Sequence, residues 1–118
     1  MEALFTKAQT SKLLANGKAS NDTEGAIDHF PVVKLFTPDA NCTWLISELD
    51  PDNPDIAFGL CDLGLGFPEL GSVSISELKA VRGKFGLSVE RDRHFNPIQS
   101  VSKYADDARA SGRRGVFA

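Results

Sequence analysis

The hydrophobic pattern at the start of the chain is helical. Between residue 2 and about residue 16, the apolar side chains that can share one helix face are Leu4, Phe5, Ala8, Leu13 and Leu14. Gly17 predicts the C-terminal end of this helix, because glycine commonly follows the last helical turn. Residues 17–29 are rich in Gly, Ser, Asn and Asp and have few bulky apolar side chains, so we expect a mobile loop there.

The middle of the chain has the pattern of short β-strands. Residues 31–36, 42–49, 56–61 and 72–75 are runs rich in β-branched and aromatic side chains, with turn-forming residues between them. All six residues of 50–55 favour turns, so the second and third strands are predicted to form a hairpin. The segment from Asp62 to Gly71 contains three glycines and one proline, which is typical of neither a regular strand nor a helix.

The register of this hairpin leaves two arrangements open for the cysteines. If the numbers of paired residues sum to about 105, Trp44 faces Cys61 and Cys42 is a diagonal neighbour. A slip of one residue places the two thiols on opposite faces of the sheet. The sequence contains no CxxC motif and no export signal, so we expect both cysteines to be reduced, buried side chains.

The last third of the chain predicts a short helix, one more strand and a final helix. Ser76 is a good N-cap for a helix over residues 77–82, and residues 87–95 alternate sufficiently to predict a fifth strand. Pro97 predicts the start of a helix that ends at Gly112.

The order of these elements predicts one α+β domain over residues 1–118, with a tail over residues 113–118 that frays. The domain has an N-terminal helix, an antiparallel sheet of about five strands covered on one face, a short helix before the last strand, and a C-terminal helix. The composition, 42% apolar and 25% charged, excludes a mainly disordered chain. No apolar run approaches the roughly 20 residues of a membrane-spanning helix, so we expect a cytoplasmic protein with no membrane partner.

Charge is unevenly distributed along the chain. No lysine or arginine lies between Lys34 and Lys79, and this interval contains eight acidic residues, whereas the whole chain has a net charge of −3. Two arrangements are open for these acids. If they point outward, they form a surface for a basic partner protein. If they pair with the basic C-terminal part, they are neutralised within the fold. The residues expected to bind a partner are Asp50, Asp52, Asp55, Asp62 and Glu69. Nucleic-acid binding has weaker support, because the aromatic residues of the basic part form no obvious stacking ladder.

A pocket with ionisable side chains is the alternative site. On a strand, Glu90, Asp92 and His94 share one face, where two carboxylates and an imidazole can shift one another's pKa values into a range useful for acid–base catalysis. We expect such a pocket between the Gly64–Gly71 loop and the Glu90–His94 strand end. The side chains expected to converge there are Asp62, Glu69, Asp92 and His94.

The sequence predicts no metal site and no cofactor. His29, His94, Cys42 and Cys61 are not paired at the close intervals of zinc ligands. The glycine spacing after Asp62 matches neither GxGxxG nor the P-loop, and the chain contains no GxSxG or HExxH motif.

Several segments resemble a bacterial protein family. They are residues 30–36 (FPVVKLF), 43–45 (TWL), 48–51 (ELDP), 55–64 (DIAFGLCDLG), 68–71 (PELG), 90–92 (ERD) and 104–105 (YA). Over about residues 4–112 the chain resembles the family known as domain of unknown function DUF2958, whose members resemble accessory proteins of plasmids, integrative elements and phages. The resemblance implies a compact domain of bacterial or mobile-element origin, and it transfers no catalytic residue.

The sequence therefore favours a non-enzymatic protein-interaction module of a bacterial mobile element, for which an anti-defence role is one form. Its acidic surface contacts another protein. The alternative is a small enzyme or ligand-binding domain that uses the predicted pocket. The two hypotheses differ in where the structure must place the acidic side chains: together on the surface, or together in a concave site.

Overall fold

The computed structural model describes residues 4–111 of the chain, and its elements follow the order that the sequence predicts. They are α1 (Lys7–Asp22), β1 (Val33–Phe36), β2 (Thr43–Leu49), β3 (Ile56–Asp62), β4 (Glu69–Ser74), α2 (Ile75–Ala80), β5 (Glu90–Arg91) and α3 (Val101–Ala110). Paired strands are antiparallel, in the order β4-β3-β2-β1-β5. The predicted α+β class is confirmed. The tail predicted to fray, residues 113–118, lies outside the described residues.

Helix α1 begins and ends later than the pattern predicts. Thr6 forms a capping box with Gln9: the Thr6 hydroxyl accepts a hydrogen bond from the Gln9 amide, and the Gln9 side chain accepts one from the Thr6 amide. The predicted helix end at Gly17 is wrong, since the helix continues to Asp22. A Cβ atom at Gly17 would lie 1.8 Å from the Leu49 carbonyl oxygen, so this glycine serves a close helix–strand approach. The predicted loop over residues 17–29 therefore starts only after Asp22.

At the cysteines, the β2–β3 hairpin has the first of the two registers left open by the sequence, and Cys42 and Cys61 pack against the same core. Trp44 pairs with Cys61, as in the first arrangement, and this register extends to Ile46. A β-bulge then shifts the pairing by one residue, so that Glu48 pairs with Phe58. The α1 side chain Asn16 donates a 2.9 Å hydrogen bond to the Ser47 carbonyl within the bulge.

The sheet is covered on both faces, so the expectation of one covered face is wrong. Trp44 and Ile46 belong to a core with α1 and α2, whereas Leu45 packs against α3 from the opposite face. Because side chains alternate along a strand, the continuous apolar run of β2 fills both layers. Leu45 and Leu60, both fully buried, anchor the α3 layer, and each contributes roughly 1.5–3 kcal/mol through burial.

The short elements after β4 depend on local caps. Ser74, rather than Ser76, is the N-cap of α2, and Ser100 caps α3, three residues after the predicted start at Pro97. The predicted fifth strand over 87–95 is reduced to Glu90–Arg91 in the sheet. It ends there because Asp92 begins a turn in which its side chain accepts a hydrogen bond from the His94 amide.

The sheet has two ends with different connections. The hairpin-tip end is the end at which the turn over residues 50–55 joins β2 to β3. The glycine-loop end carries the turn over residues 37–42, the loop over 63–68 between β3 and β4, and the loop over 83–87 before β5. Strand β3 has seven residues, so the two ends lie roughly 20 Å apart.

Candidate functional site

The structure divides the five acidic residues expected to bind a partner between the two ends of the sheet. Asp50, Asp52 and Asp55 lie at the hairpin-tip end. Asp62 ends β3 and Glu69 begins β4, so both lie at the glycine-loop end. With roughly 20 Å between these ends, the five carboxylates form two separate groups.

At the hairpin-tip end, two of the three carboxylates hold local structure. Asp50 accepts a hydrogen bond from the Asp52 amide at 2.9 Å. Asp55 accepts bonds from the Ser74 and Ser76 hydroxyls at 2.7 and 3.0 Å, and from the Ser76 amide at 2.9 Å. These bonds, that from Ser74 above all, hold the pKa of Asp55 below its ordinary value. Asp55 therefore connects the hairpin tip to the start of α2.

The expected neutralisation of these acids by the basic C-terminal part does not take the form of ion pairs. Ion pairs among the described residues include Lys18–Asp22, Lys34–Asp92, Lys103–Asp107 and Arg109–Asp106. None of these pairs includes Asp50, Asp52 or Asp55. The carboxylates of Asp50 and Asp55 instead accept hydrogen bonds from backbone amides and serine hydroxyls.

At the glycine-loop end, Asp62 and Glu69 have different environments. Asp62 is buried, and its carboxylate accepts a 2.9 Å hydrogen bond from the Gly64 amide, which shapes the loop after β3. Glu69 is exposed and pairs across the ladder with Cys61. Burial raises the pKa of the Cys61 thiol, and the negative charge of Glu69 raises it further, so the nucleophilic thiolate is disfavoured.

The structure does not bring together the four side chains of the alternative pocket, Asp62, Glu69, Asp92 and His94. Asp62 pairs with Thr43 of β2, and Thr43 pairs with Phe36 of β1. Phe36 in turn pairs with Glu90 of β5. Three interstrand spacings, roughly 14 Å, therefore separate the backbone of Asp62 from that of Glu90.

A concave site does lie along the Glu90–His94 segment, but its other wall is helix α2. This β5 cleft has a volume of about 620 Å³ and is bordered by residues 87–94 on one side and by Lys79 and Arg82 on the other. Asp92 and His94 line the cleft. The Asp92 carboxylate lies 3.6 Å from the Lys34 ammonium, so it also belongs to an ion pair.

The largest exposed apolar side chains of the glycine-loop end were not singled out by sequence reasoning. Leu63, Leu65 and Phe67 are 54%, 73% and 78% exposed on the loop after β3, and Phe85 and Leu87 are 77% and 49% exposed on the loop before β5. The segment LGLGF contains too many glycines for a strand, yet places an apolar side chain at every second residue. That combination was the available signal, because no regular element can bury these side chains.

The turn over residues 37–42 fixes both apolar loops. The Asp39 carboxylate accepts hydrogen bonds from the Phe85 amide at 2.6 Å and the Leu87 amide at 3.3 Å. Asn41 packs against Gly64, where an added Cβ atom would lie 2.8 Å from the Asn41 Cβ atom. Gly64 has a φ of +76°, a conformation that other residues rarely adopt. The two loops therefore flank one turn at the same end of the sheet.

One further polar cluster contains residues that occur in nucleophilic sites. The Ser20 hydroxyl donates to a Glu48 carboxylate oxygen at 2.9 Å and lies 3.1 Å from His29 Nε2. Because its proton is directed at Glu48, the hydroxyl accepts from the imidazole rather than being activated by it. The cluster links α1 to β2 and to the segment before β1.

Two searches of the described residues give negative results. No helix within residues 4–111 is long and apolar enough to cross a bilayer. Over the same residues, no group of three or more His, Cys, Asp and Glu side chains is arranged to hold a metal ion.

Comparison with known proteins adds one finding. A family model described as "Protein of unknown function (DUF2958)" matches residues 4–114, nearly the whole chain. No curated protein and no solved structure matches this sequence.

Proposed function

We propose, for a chain that belongs to the DUF2958 family of proteins of unknown function, that it is a non-enzymatic protein-interaction module. In this proposal it docks through the glycine-loop end and serves as a cytoplasmic accessory protein of a bacterial mobile element. Interference with a host defence protein is one form that this interaction takes.

The observation that carries the proposal is the exposed apolar surface formed by the two loops. Five large apolar side chains, two of them phenylalanines, are 49–78% exposed on this surface. Contiguous exposed apolar surface rimmed by polar groups is typical of interaction sites, and aromatic side chains are enriched where a partner contributes binding energy. The partner expected is a protein with an apolar groove that accepts Leu65 and Phe67.

The exposure of these side chains follows from the fixed shape of the loops. Asp39 holds the loop before β5, and Asp62 and Asn41 hold the loop after β3. Neither loop folds back to bury its apolar residues, because each is tied at its base by hydrogen bonds or close packing. A docking surface with a fixed shape loses less conformational freedom on binding.

The acidic residues have a secondary part in the proposal. Glu69 is exposed at the edge of the apolar surface, so it suits a partner whose groove has a basic rim. Half-buried Asp50 and exposed Asp52 lie at the other end of the sheet and contribute to the long-range field of the acidic chain. Charges at a rim mainly change the rate of association and its salt dependence.

The test compares two matched changes on exposed apolar residues. The chain with Leu65→Ser and Phe67→Ser is compared with the chain carrying Ile98→Ser, because Ile98 is 78% exposed, like Phe67, but lies before α3. Each is used to capture proteins from a bacterial lysate, with quantification by mass spectrometry. A photo-crosslinking residue placed at position 67 or 98 then reports which surface contacts the captured protein.

The proposal expects capture to fall about tenfold or more for the double loop variant and to be unchanged for Ile98→Ser. It also expects crosslinks from position 67 and none from position 98. Equal capture by the wild type and the double loop variant contradicts the proposal. A Glu69→Lys variant should slow association without abolishing capture.

A further inference from the structure

We propose that the β5 cleft binds a small ligand that carries two or more phosphate groups. The β5 cleft adjoins the docking surface at Leu87 but is lined mainly by other residues, and the proposal assigns the positive side chains in and just after α2 and β5 a role in ligand binding. It replaces the pocket predicted from the sequence by one with a different second wall.

The cleft exists because a strand pairing begins and then stops. Arg82 pairs with Ser88 in an isolated antiparallel bridge, and the Gly83 amide donates to the Leu87 carbonyl at 2.9 Å. Before Arg82 the chain is the helix α2, so this pairing is not continued opposite Glu90 and Arg91. The walls therefore diverge from a closed base, and they enclose about 620 Å³.

The side chains of the cleft are predominantly positive. Its cations are Lys79, Arg82, Arg91 and Arg93, and its acids are Glu90 and Asp92. The lining therefore has a formal charge of +2 within a chain of −3. Asp92 also faces Lys34, whose ammonium lies 3.6 Å from the carboxylate, and the Arg91 Nη1 atom donates to the Leu4 carbonyl at 3.0 Å, so charges of both signs in the lining already have partners within the domain. A concave site with an excess of positive side chains favours negatively charged ligands.

Arg82 is held in a fixed orientation at the end of α2. Its Nη1 atom donates to the Lys79 carbonyl and to the Val81 carbonyl, both at 2.8 Å. Both bonds use one nitrogen of a guanidinium that has five N–H donors in a planar fork. A fork held in this way suits the paired oxygens of a phosphate group, and the nearby Lys79 ammonium provides a second positive charge.

The size of the cleft selects the class of ligand. Pockets for small molecules usually enclose about 300–1,000 Å³, and the β5 cleft lies in the middle of that range. Phe36 and Leu87 also line it and provide apolar surface beside the cations. Cations next to apolar side chains fit a phosphate ester of nucleotide size better than a bare inorganic ion.

The experiment uses the full chain, with ATP and inorganic pyrophosphate as probes and a hexaglutamate peptide as the comparison polyanion. Binding is measured by calorimetry and by shifts of backbone amide signals in NMR spectra. The test variant is Lys79→Gln, since Lys79 is exposed on the cleft wall. The matched control is Lys12→Gln, which removes an exposed α1 lysine that does not line the cleft.

We expect ATP to bind saturably and to shift amide signals of residues 79–94. Lys79→Gln should weaken ATP binding about tenfold, whereas Lys12→Gln should change it less than about twofold. Arg93→Gln provides a second cleft variant, and thermal melting of each variant verifies its fold. Binding should also weaken when salt rises from about 50 to about 500 mM, because screening reduces the attraction.

Three results would overturn the proposal. One is the absence of saturable binding of either phosphate probe, and another is an equal loss for Lys12→Gln and Lys79→Gln. The third is binding of hexaglutamate but not of ATP, which would make the cleft a site for acidic peptides. The variant with Leu65→Ser and Phe67→Ser should bind ATP normally, so this test fails or succeeds separately from that of the docking surface.

Discussion

The hairpin-tip end and the glycine-loop end of the sheet differ in how their surface side chains are used. At the hairpin-tip end, Asp50 and Asp55 accept hydrogen bonds from amides and hydroxyls of the same domain. At the glycine-loop end, Leu65, Phe67 and Phe85 are more than 70% exposed to solvent. The first end uses two of its three carboxylates in hydrogen bonds within the domain, whereas the second presents surface that nothing in the described part of the chain covers.

This difference shows which kind of exposed residue is more informative about a partner. A carboxylate on the surface is well hydrated, and it readily accepts hydrogen bonds that shape its own turn. A cluster of acids is therefore compatible with purely local roles, as Asp55 illustrates. A fixed cluster of large apolar side chains leaves unfavourable contact with water unless a partner removes it.

The largest expected effect on stability tests how tightly the hairpin-tip end is packed. Gly17→Ala should lower the free energy of unfolding by about 3 kcal/mol, because the new Cβ atom would lie 1.8 Å from the Leu49 carbonyl oxygen and force α1 away from β2. At the glycine-loop end, Gly66→Ala should cost only about 1–2 kcal/mol. Gly66 has a φ of +85° but nothing within 4 Å of an added Cβ atom. Urea unfolding followed by Trp44 fluorescence measures both, and equal losses would contradict the contrast.

The next largest expected effect concerns Asp39, which holds the loop before β5. Asp39→Ala removes the acceptor for the Phe85 and Leu87 amides and should lower the free energy of unfolding by about 2 kcal/mol. Hydrogen exchange at these two amides should accelerate more than exchange elsewhere. Asp52→Ala, at the exposed hairpin tip, is the control and should stay within about 0.5 kcal/mol of the wild type. Unchanged protection of both amides would show that Asp39 does not hold the loop.

A smaller effect is expected for Asp55, whose contribution to the stability of the fold should depend on pH. Hydrogen bonds from Ser74 and Ser76 lower the pKa of Asp55, so its ionised form stabilises the folded state. This contribution is complete above the ordinary aspartate pKa of 3.8 and is lost as the pH falls through the lower folded value. Asp55→Asn should therefore lower the urea midpoint at pH 7, and the difference from wild type should shrink near pH 3. A difference independent of pH would contradict this assignment.

The smallest effect on stability is expected for the two loop substitutions that should reduce partner binding most. Leu65→Ser and Phe67→Ser together should change the free energy of unfolding by less than about 0.5 kcal/mol, since both side chains are already exposed. The same urea titration measures this, with Ile98→Ser as the matched control. A loss above about 1 kcal/mol would mean that the loop side chains stabilise the domain itself, and the docking proposal would lose its basis.

Much of the fold followed from patterns within a few residues of each other. The strands around Trp44 and Phe58 were predicted because β-branched and aromatic runs between turn formers indicate strands wherever they occur. The C-terminal end of α1 was predicted wrongly, because a glycine commonly ends a helix. Only the close approach of Leu49 shows that Gly17 serves packing instead. The second covered face also escaped prediction, since the apolar run of β2 fits a strand buried on one side or on both.

The candidate sites were less accessible to the same reasoning. Asp92 and His94 both line the β5 cleft, but two strands separate Asp62 from β5 and three strands separate Glu69 from it. The partner wall of the cleft, α2, was predicted as a helix without any indication of which strand it would face. The strand order that decides this depends on contacts between distant segments.

What the sequence by itself determined is the set of elements and their order, because capping, turn formation and side-chain alternation depend on neighbouring residues. Tertiary structure decided which loops share an end of the sheet and which acidic side chains accept hydrogen bonds within the domain. Asp55 bonds to Ser74 nineteen residues away, and Asp39 bonds to the Phe85 amide forty-six residues away. Such partners meet only after the sheet has formed, since a hydrogen bond requires two groups at one place and a local pattern specifies only one of them.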